Sequence, residues 1–153
     1  DDVMRMTCEL GVDRLQPLQG QRCVPQAEHR PERWQSILRE AMEQCERLWA
    51  PELTGVCAAT DWWETPDQSD LRLLAVPRET AVPHLADLLA TRTSVHSSIW
   101  LAIGPEGGWT DQELAAAAAA GWVPVSLGDT ILRSSTAAVA GVTTLSNWRR
   151  LRS

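Results

Sequence analysis

The sequence predicts one α/β domain built on a mostly parallel sheet with helices on both faces. Three observations carry that prediction. Apolar runs of strand character alternate with windows of helical period, the order that puts crossover helices between parallel strands. Turns rich in glycine or hydroxyls follow two of these runs, after Ile103 and after Leu127, and each turn leads into a helix. The length, 153 residues, holds one such core and is short for two.

Taken in order, residues 3–10 read as a helix that Gly11 ends, and Arg14, Leu15, Gln16, Pro17 and Leu18 as a short strand. Pro17 cannot donate to a ladder, which points to an edge or a strand end. Residues 19–30 are polar and loop-like, and Pro31 is placed to open a helix over 31–48. Its apolar stripe is Trp34, Ile37, Leu38, Ala41, Cys45 and Leu48, at spacings of three and four. Residues 51–70 have no clear period. The Trp62, Trp63 pair there suits a core or an interface better than a stacking platform for nucleic acid. A strand over 71–76, a loop over 77–80 and a short helix over 84–90 follow.

The apolar run 99–103 then reads as a strand that ends at Gly104. Thr110 and Glu113 have the capping-box spacing, Ala115 to Ala120 continue the helix, and Gly121 supplies a left-handed stop. A strand over 122–127, a loop over 128–136 and a last helix over 137–149 complete the chain. The two strand-to-helix turns are expected at the carboxyl ends of neighbouring parallel strands, where open α/β sheets bind small molecules.

Composition narrows the function. Net charge is −6, which argues against an unaided grip on nucleic acid. Arginines still gather locally, at Arg149, Arg150 and Arg152 and at Arg14, Arg22, Arg30, Arg33 and Arg39, and a solvated helix face is the plainer account of most of them. Eight Trp with no Phe or Tyr, and Arg with no Lys, is a compositional habit that no rule of folding imposes. Cys8, Cys23, Cys45 and Cys57 have no C-x-x-C spacing, and His29, His84 and His96 form no ligand pattern with them. No metal site is therefore expected, and the thiols are read as reduced in a cytoplasmic protein. No apolar run approaches membrane-spanning length and no signal peptide is visible.

Taken alone, the turn Gly104, Pro105, Glu106, Gly107, Gly108 fits either a tight connection or a ligand approached closely by the backbone. Glu106 in the turn, with no Lys after it, disfavours a phosphate. A ligand held by main-chain amides and carbonyls suits it better. Arg133, beside Ser134, Ser135 and Thr136, adds a cation and hydroxyls near the same place.

Three ordered motifs carry a resemblance: Ile103 to Gly108, then Ser126, Leu127 and Gly128, then Ile131, Leu132, Arg133, Ser134, Ser135, Thr136 and Ala137. Together they closely resemble the C-terminal half of the RsmE family, 16S ribosomal RNA uridine-N3 methyltransferases of the SPOUT superfamily. Glu9 to Val12, the Arg22 region, Glu40 to Gln44 with Arg47, and Pro51, Glu52 are similar to the same family in the same order, so the resemblance covers nearly the full length. It implies one SPOUT methyltransferase domain over 1–153, with a C-terminal deep trefoil knot, an exception to the rule that chains do not knot. It implies S-adenosylmethionine bent in that knot, its adenine held by main-chain groups of three loops. Those loops fall near Leu74 to Pro77, near Ile103, Gly104, Pro105, Glu106, Gly107 and Gly108, and near Leu127, Gly128, Ile131 and Leu132, with Ala137 close by.

The resemblance further implies a homodimer whose active site is completed across the interface, and 16S ribosomal RNA in the small ribosomal subunit as the substrate. The last helix is the expected dimer contact, through the small residues Ala137, Ala138, Val139, Ala140 and Gly141. Methyl transfer to N3 requires the uridine proton to leave, and Arg133 is the candidate to stabilise the developing charge, with a structural dimer contact as its other reading. The chain departs from the family at three places: Ser134 and Ser135 stand where Thr and Glu are common, and Met6 where a Lys is usual. These departures keep a second function open, a catalytically silent SPOUT dimer that binds cofactor or RNA as an interaction module. The N-terminal PUA-like domain and first strand of the family have no counterpart in the 153 residues, as expected of a trimmed fragment.

Overall fold

The computed structural model describes residues 1–24, 30–77, 81–94, 96 and 98–153. Their elements are α1 (Asp2–Glu9), β1 (Arg14–Leu15), β2 (Leu18–Gln19), α2 (Pro31–Gln44), β3 (Glu52–Leu53), β4 (Cys57–Ala58), α3 (Ala59–Trp62), β5 (Leu71–Ala75), α4 (Leu85–Ala90), β6 (Ile99–Ala102), α5 (Asp111–Ala119), β7 (Val123–Val125) and α6 (Ser134–Arg150). The expected loop residues 25–29, which include His29, and 78–80 lie outside the described residues.

Pairing among the described residues is parallel throughout. The main sheet has the order β6-β5-β7, with Leu71 opposite Ile99, Leu74 opposite Ala102 and Ala75 opposite Val125. β1 pairs with β3, and β2 with β4. The strands before the two glycine turns are therefore not neighbours as expected, since β5 lies between them. β5 takes the middle because Leu71, Leu73 and Leu74 are buried toward opposite faces. β7 contains Pro124, which lacks the donor that a central strand needs.

Alternation along the strands assigns the faces. Leu74 and Ala102 pack with Trp62 and Trp63 and with Ala117 of α5 and Trp122. Leu71, Leu73 and Val125 pack on the other face with Leu85 and Leu89 of α4 and Trp148 of α6. A third cluster, Cys8, Leu38 and Ala41 with Leu15 and Leu53, lies beneath α1 and α2. Both tryptophans at 62 and 63 are core residues. The Trp63 ring centroid is 5.0 Å from Trp122 and 5.3 Å from Trp109, and Trp122 Nε1 donates to the Trp63 carbonyl at 2.8 Å.

Three boundaries differ from the sequence reading for local reasons. The strand expected over 14–18 breaks at Gln16 and Pro17, where the Gln16 amide donates to the carbonyls of Pro17 and Gly55 at 3.0 and 2.7 Å. α2 stops at Gln44 because Glu46 turns left-handed, φ 59°, leaving Leu48 88% exposed and outside the stripe. Arg47 instead donates to the Cys8 and Val12 carbonyls at the end of α1, at 2.8 and 2.9 Å. α6 begins at Ser134, three residues before the expected start, with Arg133 as its N-cap.

Candidate functional site

The parallel sheet puts the ends of β5, β6 and β7 at one side of the molecule, and the three loops that leave them are tied to one another. Trp109, buried after the glycine turn, donates its Nε1 proton to the Ala75 carbonyl at 3.1 Å, joining the second loop to the end of β5, where the first loop begins. Ser134 Oγ donates to the Gly104 carbonyl at 3.0 Å, joining the third to the second. A side chain at 104 would start 3.0 Å from Trp109 Nε1, so glycine is needed there for the indole to pass. In the third loop Ser126 Oγ donates to the Gly128 carbonyl at 3.0 Å.

Beyond Gly128 the chain spends little on itself. The main-chain groups of Asp129, Thr130, Ile131 and Leu132 take no hydrogen bond among the described residues. A Cβ at Gly128 would meet nothing within 4 Å, and its φ is not left-handed, so no contact or backbone demand of the chain calls for glycine. The first turn of α6 receives no side-chain cap from Arg133, which leaves amide donors facing the same loop.

The glycine turn has a second support that the sequence did not reveal. Glu113, 1% exposed, closes the expected capping box with Thr110 and also accepts the Gln21 amide at 2.7 Å. Thr110 Oγ1 donates to the Gln21 side chain at 3.0 Å, and Gln21 Nε2 donates to Gln112 at 3.1 Å. Arg22 follows, its Nη1 donating to the carbonyls of Gly107 and Trp109, both at 3.3 Å. Capping spacing could reveal the bonds within 110–113, but no local signal announces a partner 92 positions away.

The predicted residues fall into two groups. Ile103, Gly104, Pro105, Glu106, Gly107, Gly108, Leu127, Gly128, Ile131, Leu132 and Arg133 do lie on the loops at this end of the sheet. Leu74 is a core residue of β5, its backbone laddered on both sides, and Ala137 is buried with its amide on the Arg133 carbonyl. The space beside Gly107, expected for a ligand, is filled: a Cβ there would lie 3.0 Å from Arg22 Cβ and 3.1 Å from the Arg22 carbonyl oxygen. Arg133 is exposed, and its side chain makes no hydrogen bond or ion pair among the described residues. Met6 is half-buried on α1.

Chemically, this end of the sheet offers unspent amides and carbonyls, hydroxyls, and two exposed guanidiniums. It offers no thiol chemistry of note. Burial pushes the thiols of Cys8 and Cys57 up, and neither is on these loops. No group of His, Cys, Asp and Glu that could hold a metal occurs among the described residues. A cavity of about 710 Å³ lies beside the sheet rather than at the loops. It follows the edge of β6 that pairs with no strand among the described residues, between β1 and α6, lined by Leu15, Trp100, Leu101 and Val142, and it reaches Ile103 and Ser134 at its upper end.

Comparison with known proteins agrees with this architecture. The profile of the RNA methyltransferase domain family matches residues 1–146. The Ribosomal RNA small subunit methyltransferase E of Synechocystis sp. is 40% identical over 139 residues, covering 90% of this chain and 45% of that protein. The protein of the same name from Mycobacterium tuberculosis is 32% identical over 146 residues, covering 91% and 55%. Among solved structures, a Ribosomal RNA small subunit methyltransferase E from Neisseria gonorrhoeae bound to S-adenosyl methionine superposes with TM-score 0.85 at 29% identity, covering 95% of this chain and 59% of that one. A methyltransferase from Legionella pneumophila, in complex with the cofactor SAM, gives TM-score 0.81 at 30% identity, with 95% and 60% covered. The chain spans about half the length of the curated relatives it matches. No helix of the described residues is long and apolar enough to cross a membrane. With strand order, loop convergence and a profile match from residue 1 to 146 in agreement, the chain belongs to the RNA methyltransferase domain family.

Proposed function

We propose that this chain is the catalytic SPOUT domain, over 1–153, of a cytoplasmic homodimeric enzyme that uses S-adenosylmethionine to methylate N3 of a uridine in the 16S ribosomal RNA of the small subunit. The observation that carries the reading is the loop from Gly128 to Leu132, whose main-chain groups are unspent and whose glycine borders open space. The residues fit the cofactor. An adenine needs both donors and acceptors, and four consecutive residues with free amides and carbonyls offer them. The relatives' names and the cofactor-bound structures support the same choice over an interaction module. We read the C-terminal part as the deep trefoil knot, a reading supported by the tie from Ser134 to Gly104, across which α6 runs back over the sheet.

When bound, S-adenosylmethionine supplies an electrophilic methyl group on a sulfonium. The remaining work falls to the chain. Main-chain groups of Leu127, Ile131 and Leu132 would hold the adenine. Trp109 and Ser134 fix the three loops relative to one another, so that binding one part positions the rest. Arg133 would face the uracil oxygens, where negative charge develops as the N3 proton leaves, and its fork of donors would stabilise that charge.

The test is methylation of small ribosomal subunits lacking the modification, by the full-length protein with labelled cofactor, followed by nucleoside analysis of the RNA. Labelled N3-methyluridine is the expected product. Cofactor binding without any transfer would overturn the enzyme and leave the interaction module.

A further inference from the structure

Arg22 is an arginine whose charge no acidic side chain neutralises among the described residues. Arg5, Arg14, Arg33 and Arg47 are each paired with a carboxylate, to Glu9, Glu52, Asp1 and Asp13. Arg22 is instead fastened to carbonyls: Nη1 donates to Gly107 and Trp109, while Nε and Nη2 take no partner among the described residues. The preceding residue is held as firmly, since Gln21 bonds Glu113 and Gln112 and accepts from Thr110. The Arg22 backbone presses on Gly107 closely enough to exclude a side chain there. The guanidinium is thus exposed, anchored on one side through Nη1 and paired with no carboxylate among the described residues, on a chain of net charge −6.

A cation anchored on one side in this way has less rotamer freedom to lose and keeps donors free on its outer side, an arrangement that receives a phosphate at reduced ordering cost. We propose that Arg22 is a substrate-positioning residue that takes a phosphate of the RNA backbone at the rim of the glycine turn. The proposal rests on the reading of this site as an RNA methyltransferase centre. The outer side of the turn favours RNA over the cofactor's own carboxylate: Gly107 and Arg22 are both exposed, whereas the ties among the three loops run through Gly104, Trp109 and Ser134.

Arg22→Gln removes the charge and keeps a polar side chain, and Arg22→Lys keeps the charge and loses the planar fork, so the pair separates charge from anchoring. Binding of the full-length protein to protein-free 16S ribosomal RNA is measured without cofactor at several salt concentrations. The variant is expected to bind roughly 10-fold more weakly at fixed salt, and its slope of log affinity against log salt is expected to flatten by about 0.7–0.9, the release of one counterion equivalent. Arg22→Lys should keep the slope. In turnover the Gln variant raises the KM for RNA and leaves kcat. An unchanged slope in Arg22→Gln overturns the proposal, as does a loss that falls on affinity for S-adenosylhomocysteine, measured by calorimetry. Failure of the wild type to transfer a methyl group, with the slope difference intact, overturns the reaction and leaves Arg22 as the phosphate contact.

Discussion

Arg133 and Gly128 are the two residues on which the proposed chemistry is most exposed to test. If the Arg133 guanidinium acts on charge that appears only as N3 loses its proton, it contributes to the transition state and little to cofactor binding. Arg133→Ala should then lower kcat and kcat/KM together by about 10²–10³, the usual loss for one preorganised donor, with cofactor affinity kept. Arg133→Lys should recover only part, because an ammonium lacks the planar fork. Single-turnover transfer of labelled methyl measures both, and equal rates for wild type and Ala would remove the residue from the mechanism. Gly128 tests the pocket itself. A valine there meets no atom of the chain within 4 Å of its Cβ, so stability should move by only about 0.5 kcal/mol, while cofactor affinity in calorimetry should fall roughly 10- to 100-fold. Gly107→Val cannot serve, since it strikes Arg22 whether or not a ligand is present. Sequence alone made both glycines look alike. What separates them is a contact with a residue 85 positions earlier, and no spacing rule reaches that far.

The elements show which signals are local. Thr110 and Glu113 were legible as a capping box because both bonds close within one turn, and the structure contains them. Gly11 and Gly121 were legible as stops for the same reason. After each, the chain closes the Schellman pair of bonds: Gly121 to Ala118 and Trp122 to Ala117, Gly11 to Cys8 and Val12 to Thr7. Gly121 sits at φ 84°, so Gly121→Ala should cost about 1–2 kcal/mol in urea denaturation, with the slope unchanged. A midpoint equal to wild type would mean that α5 ends by other means. The end of α2 was not legible, because it depends on Glu46 turning left-handed without glycine and on Arg47 reaching α1. The short strands within residues 52–58 were missed because two residues of strand carry no period to read.

At the scale of the whole molecule, alternation of strand and helix was enough to give a parallel sheet covered on both faces, because right-handed crossovers leave few other solutions. It did not give strand order, which depends on how each strand is buried, and it gave no hint of the cavity beside β6. The dimer surface read from sequence must be redrawn. Ala137, Ala138 and Gly141 are buried against their own domain, and a Cβ at Gly141 would overlap Leu101, so close approach there serves the fold. Val139, Ala140 and Thr143 remain half-exposed on α6, and Ile131 just before it is 89% exposed. A twofold contact through that face would bring each residue near its own copy, so one added charge is met by another of the same sign. The wild type should therefore give a dimer mass in light scattering at micromolar concentration, and Ala140→Arg a monomer with unchanged circular dichroism. A dimer that survives Ala140→Arg would place the interface on another face, and a monomeric wild type would end the homodimer altogether.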